Sequence, residues 1–166
     1  MGEQKAALSA RIEAFKAQPS FKDYQSVQHL AGENWLTVQG DLLEHLRQCD
    51  SWSTQEAQVD IFLHEKLIDD AIAALGRYCR DPLIHRVMDV AIFHRPEWVI
   101  EQARHHAEDI INQGKAKAYD AAVEWLQKAR AAYFQLGQQS EWNDYRTQLM
   151  TTHARKYKLM GLLKTI

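Results

Sequence analysis

The sequence predicts an all-α fold built from antiparallel helix pairs. Three observations point there. Apolar residues recur at spacings of three and four along almost the whole chain, the mark of amphipathic helices, and alternating period-2 runs are nearly absent. Glycine (7) and proline (3) are too scarce in 166 residues for the many turns of a sandwich or barrel. Hydrophobic residues at 46% and charged residues at 25% lie near the globular average, so the chain can bury a core.

The helices announce themselves by their ends. Pro19-Ser20 opens one that runs to about Ala31, and Gly32 stops it. Trp35, Val38, Leu42 and Leu46 mark the next apolar face, which ends before Asp50. Ser53 with Glu56 has the capping-box pattern for a helix through about Glu65, with Trp52 placed as its hydrophobic staple. Val59–Lys66 has some strand character, but a lone strand lacks a partner, so it is assigned to that helix. Leu67 to Leu75 follows and closes at Gly76. Asp81-Pro82 and Arg95-Pro96 each punctuate a start, and Gly114 ends the second of these helices. Tyr119, Ala122, Leu126, Ala129, Tyr133 and Leu136 form the clearest stripe. Asp120, Glu124, Lys128 and Gln135 lie opposite, and Gly137 takes the left-handed position after the helix. Ser140 is expected to cap a segment bearing Trp142, Tyr145 and Leu149. His153, Tyr157 and Met160 either continue it or start a short last helix. The total is about eight to ten helices joined by loops of about 2–6 residues, which forces antiparallel neighbours.

Three stretches look alike: 67–75 (LIDDAIAAL), 96–104 (PEWVIEQAR) and 119–130 (YDAAVEWLQKAR). Each sets a bulky residue about three or four positions before a small alanine, with more apolar residues after it, and a small residue lets a partner helix approach closely. Ala71 and Ala103 lie 32 residues apart. That is close to the 34 of tetratricopeptide repeats, although Ala122 breaks the period. The expected architecture is therefore a tetratricopeptide-like α-solenoid forming a single domain over 1–166. Leading helices would occupy about 1–50, degenerate repeats 51–137 and capping helices 138–166.

Charge and cysteines bound the function. Net charge is −2, so no global basic field exists to hold nucleic acid. Residues 1–83 carry 8 Lys/Arg against 13 Asp/Glu, while residues 84–166 carry 12 against 9. From Tyr145 onward there is no acid. The ordinary reading of those cations is helix C-terminal stabilisation, and the alternative is a patch for an acidic partner. Cys49 and Cys79 are expected as reduced thiols in a soluble cytoplasmic protein, because the start of the chain lacks the apolar core of a signal peptide. Met1-Gly2 begins a myristoylation-like pattern, but Ala6 stands where Ser or Thr is needed. No apolar run approaches a membrane span.

The run 115–166 carries a more specific pattern. It comprises Tyr119, Ala122, Trp125, Leu126, Ala129, Tyr133, Gly137, Trp142, Tyr145, Leu149, His153, Arg155, Lys156, Leu159 and Leu162. This pattern resembles the C-terminal helical region of bacterial SWIM zinc finger family proteins. Pro19-Ser20, Tyr24, Ala31 and Trp35 fit the same helical tail. In that family a zinc-binding segment of CxC…CxH form precedes the tail. Here Cys49 is followed by Asp50 and Ser51, and Cys79 by Arg80 and Asp81, so the ligands are not in this chain. The resemblance implies either the excised tail of a longer protein, which Met1-Gly2 ahead of a helix favours, or a relative without the finger. It implies zinc only in a separate finger segment, and it transfers no catalytic residue.

Candidate chemistry is thin. Glu101, His105 and Glu108 share a helix face, but His64, Glu65 and His85 are not spaced to complete a metal site, and there is no HExxH or CxxC. No nucleophile elbow or phosphate loop occurs. Arg77, Arg80 and His85 near Cys79 would lower a thiol pKa, yet an inert, buried cysteine is the expectation. Trp35, Trp98, Trp125 and Trp142 fall on apolar stripes and are expected to pack internally. Trp52, in a polar turn, is the interface candidate if it is exposed. Arg155, Lys156 and Lys158, interleaved with Tyr157, could grip phosphate and stack a base, against the simpler role of a capping helix. The sequence therefore predicts a non-catalytic protein-interaction scaffold, with a concave face of stacked first helices holding an unidentified protein partner. A nucleic-acid-binding accessory and an enzyme with an unrecognised pocket are the alternatives. Pairing through a cut end would give a dimer.

Overall fold

A computed structural model describes residues 2–76 and 79–166. Met1 of the myristoylation-like pattern and Arg77 of the Cys79 argument lie outside the described residues. Among the described residues the chain is all-helical, with no strand. The helices are α1 (Gly2–Ala17), α2 (Phe21–Ala31), α3 (Trp35–Gln48), α4 (Gln55–His64), α5 (Ile68–Ala74), α6 (Asp81–Ala91), α7 (Pro96–Asn112), α8 (Tyr119–Gln135), α9 (Gln139–Thr152) and α10 (Tyr157–Leu163). The chain divides into two compact units, Met1–Val87 and Met88–Ile166. None of the described helices is long and apolar enough to cross a membrane.

In the first unit, Ser20 caps α2 as its position predicts. Its Oγ accepts from the Asp23 amide at 3.1 Å and donates to the Asp23 carboxylate at 2.7 Å. Tyr24 then packs between the ring of Phe15 and the edge of Trp35, with centroids 5.9 and 5.2 Å away. Val27, Leu42, Leu46, Val59, Ile61 and Phe62 complete this core. The buried Tyr24 hydroxyl donates to Glu65 at 2.9 Å, and Gln39 donates to the other oxygen of that carboxylate at 2.7 Å. Burial, reinforced by the bond to Glu65, raises the phenol pKa well above its ordinary value. The turn from α4 to α5 places Lys66 at φ 60°, with the Leu67 amide donating to the Phe62 carbonyl at 2.8 Å. That is the Schellman ending, made here with a residue that carries a Cβ.

One local prediction fails in this unit. Ser53 and Glu56 do not form a capping box. Thr54 precedes α4 and offers no side-chain cap. Ser51 and Ser53 hydrogen-bond each other at 2.9 Å, and the Thr54 hydroxyl donates to the Ser51 carbonyl at 2.8 Å. Short hydroxyl side chains that close their own turn compete with capping, and here the turn wins. Glu56 instead faces Arg80 and Arg86 at 3.7 and 3.8 Å, and Arg86 also pairs with Asp60. With no cap at Ser53, the staple role expected of Trp52 disappears as well.

The second unit is organised by α7 and α8, an antiparallel hairpin with a six-residue connection. Ala103, Ala107, Ala122 and Ala129 are completely buried, which lets the two backbones approach. His106 stacks on Trp125 with ring centroids 4.3 Å apart. The α8 stripe predicted from spacing is the buried face, from Tyr119 to Tyr133. Gly137 has φ 71° and the Gln138 amide donates to the Tyr133 carbonyl at 2.9 Å, so the helix ends as expected. Ser140 likewise does not take its expected capping position. The helix α9 already begins at Gln139, so Ser140 lies inside its first turn, exposed, and caps nothing. Trp142, Tyr145 and Leu149 do face inward. The short α10 is a separate helix that buries Leu159 and Leu163.

Candidate functional site

The first unit holds a cleft of about 770 Å³. Its walls are the C-terminal end of α3 (Arg47, Gln48), the 49–52 turn, one face of α4 (Gln55, Gln58, Phe62) and α5 (Asp70, Ala73, Ala74). Trp52 stands on this lining with 85% of its surface exposed. The polar turn around it explains the exposure: the serines close the backbone locally, and nothing draws the indole inward.

Two glutamines hold the walls in place. Gln58, the buried polar residue of the core, donates through Nε2 to the Leu46 carbonyl at 2.7 Å and the Cys49 carbonyl at 3.0 Å. It thereby satisfies the Cys49 carbonyl just past α3 and gives the Leu46 carbonyl a second donor beside the Cys49 amide at 3.1 Å. Gln55, one turn earlier, donates to the Leu75 carbonyl at 3.1 Å and closes the end of α5. Gly76 at φ 57° approaches the Gln55 amide so closely that a Cβ there would sit 3.1 Å from Nε2. Across the cleft Arg47 makes a two-point pair with Asp70, at 3.0 and 2.9 Å, and also reaches Glu44 at 3.5 Å. Neither glutamine stands out in the sequence as a site residue. Their only signal was an i, i+3 pair just after a serine-rich turn.

Cys49 also lines the cleft, 3.7 Å from the Nε2 of His45. The pair is not an activated nucleophile. That same Nε2 faces the Lys16 carbonyl at 3.0 Å, so it must carry a proton and cannot accept one from the thiol. The thiol donates to the His45 carbonyl at 3.4 Å, and burial pushes its pKa up. Cys79 behaves alike: burial raises its thiol more than the neighbouring Arg80 lowers it, so the activation suggested by the nearby cations does not arise.

The second unit contributes two smaller, adjoining hollows of about 370 and 260 Å³ along α7, which share Arg104 and Glu108. Arg104 lies 4.0 Å over the Tyr145 ring and donates to the Tyr133 hydroxyl at 3.2 Å. Tyr145 donates to Glu108 at 2.7 Å. Burial, then that bond, holds the Tyr145 phenol far above its ordinary pKa. His153 lies beside them with its pKa lowered by burial and by Lys156. This network joins α7 to α9 by side chains.

The basic tail is spent unevenly. Lys156 donates to the Ile111 carbonyl at the end of α7 at 2.6 Å, and Lys158 pairs with Asp120. Arg155 is exposed, and Tyr157 beside it is 83% exposed. Glu101, His105 and Glu108 share a surface, with His105 paired to Asp109 at 3.4 Å. Among the described residues no group of three or more His, Cys, Asp or Glu is arranged to hold a metal ion. No family model, curated protein or solved structure matches the chain.

Proposed function

We propose that this chain is a non-catalytic protein-interaction scaffold of stacked, tetratricopeptide-like helix pairs, and that the cleft beside Trp52 takes up a segment of a partner protein. One observation carries the reading: an 85% exposed tryptophan on the lining of a 770 Å³ cleft. Interface energy concentrates in aromatic anchors beside such hollows. Walls fixed by the glutamine caps and the Arg47–Asp70 pair need little ordering on binding, so more of the contact energy appears as affinity. The pattern over 115–166 adds support, since in the SWIM zinc finger family the corresponding helices follow a finger as its scaffold. An enzyme would need convergent groups with activated protonation, and Cys49 with His45 is the opposite case. A nucleic-acid role would rest on the C-terminal cations, three of which, Arg146, Lys156 and Lys158, are engaged within the chain.

The test is a random peptide-display selection on the whole chain, run in parallel on wild type and on Trp52→Ala. The reading expects peptides that bind the wild type and lose the variant. A selection that returns no Trp52-dependent peptide removes it.

A further inference from the structure

We infer that the cleft receives a basic segment of its partner, with an arginine or lysine side chain held between the face of Trp52 and the carboxylate of Asp50. This deepens the scaffold reading above and rests on it. Among the described residues the charged groups lining the cleft are Arg47, Asp50 and Asp70. Arg47 and Asp70 neutralise each other through their two-point pair, and Glu44 adds a further carboxylate to Arg47. Asp50 is exposed, and among the described residues it has no partner. The Trp52 ring is likewise uncovered. A bare carboxylate and a bare indole face lining the same hollow are the two halves of a cation site.

The backbone adds to this. Both α3 and α5 end at the cleft, through Arg47 and Gln48 and through Ala73 and Ala74. Helix C-termini carry partial negative charge. The α4 N-terminus, which also meets the cleft at Gln55, offsets one of the two. The longer-range field has the same sign, because residues 1–87 hold nine Lys/Arg against thirteen Asp/Glu. An acidic or phosphorylated segment would meet repulsion at Asp50 and at the one helix C-terminus that α4 leaves without an offset, and Arg47, already paired, is not free to hold it.

The experiment titrates the isotope-labelled full chain with three decapeptides on a Gly/Ser background. They differ only in four positions, occupied by arginine, glutamate or glutamine. The readout is the Trp52 indole N–H resonance, assigned by its loss in Trp52→Phe. The arginine peptide is expected to shift that resonance saturably, and the other two are not. Asp50→Lys is expected to weaken the arginine peptide roughly 10-fold. Asp50 is exposed, so a matching thermal melt will show that the variant is folded. The inference is overturned if the glutamate or glutamine peptide shifts the resonance as strongly, if the arginine peptide leaves it unmoved, or if Asp50→Lys binds as well as wild type. Display peptides that need Trp52 but lack cations would end this inference and leave the scaffold reading standing. A selection with no Trp52-dependent peptide would end the scaffold reading itself.

Discussion

At the scale of single residues, three side chains have measurable consequences. Lys66 holds a left-handed backbone with an exposed side chain, a conformation that costs an L-residue about 1–2 kcal/mol. Lys66→Gly should therefore raise the urea midpoint, by about 1 kcal/mol of stability after the entropy of the added glycine is deducted. Gln58 is the reverse case. Gln58→Leu strands the Cys49 carbonyl and leaves that of Leu46 with the Cys49 amide alone, and should cost about 1–3 kcal/mol by urea unfolding. Tyr145 makes a pH prediction. Its folded pKa lies above the ordinary 10.0, so the stability it contributes is complete below pH 10 and is lost as pH rises toward the folded value. Stability should fall with rising pH beyond 10, and Tyr145→Phe should flatten that fall. An unchanged alkaline slope in the variant would contradict the assignment.

At the scale of elements, helix starts separate what spacing can reveal from what it cannot. Ser20 and Ser53 look alike in sequence, each a serine ahead of an acidic residue three positions on. Only Ser20 caps. Ser20→Ala should cost about 1 kcal/mol. Ser53→Ala should stay within about 0.5 kcal/mol. Equal losses in thermal melts would mean that both cap in solution. The stripes of α8 and α9 were legible because burial on one face imposes a 3.6-residue period on the residues themselves. The end of α2 at Gly32 and that of α8 at Gly137 were legible because a left-handed turn selects glycine. Lys66 hid its turn by breaking that rule. The cleft was illegible for a different reason. Its walls come from α3, α4 and α5, and its fixing bonds run from Gln58 to Leu46 and from Gln55 to Leu75, pairs that no local pattern connects. Trp52 could be placed in a polar turn from sequence, but only the failed cap at Ser53 leaves it in solvent.

At the scale of the whole molecule, every regular element among the described residues is a helix and the charge is divided: acidic residues dominate 1–87, while the charged residues after Asp144 are all cations. Those tail cations serve the fold where Lys156 closes the end of α7 and Lys158 meets Asp120. The conspicuous uncommitted aromatic beside a sizeable cleft is Trp52, and the functional account stands on it. The most direct measurement is the affinity of the wild-type chain and of Trp52→Ala for the peptides that selection returns, with a thermal melt to show that both are folded. The account predicts a loss of about 30-fold or more, as for a dominant interface anchor. Equal affinity for wild type and variant would contradict it.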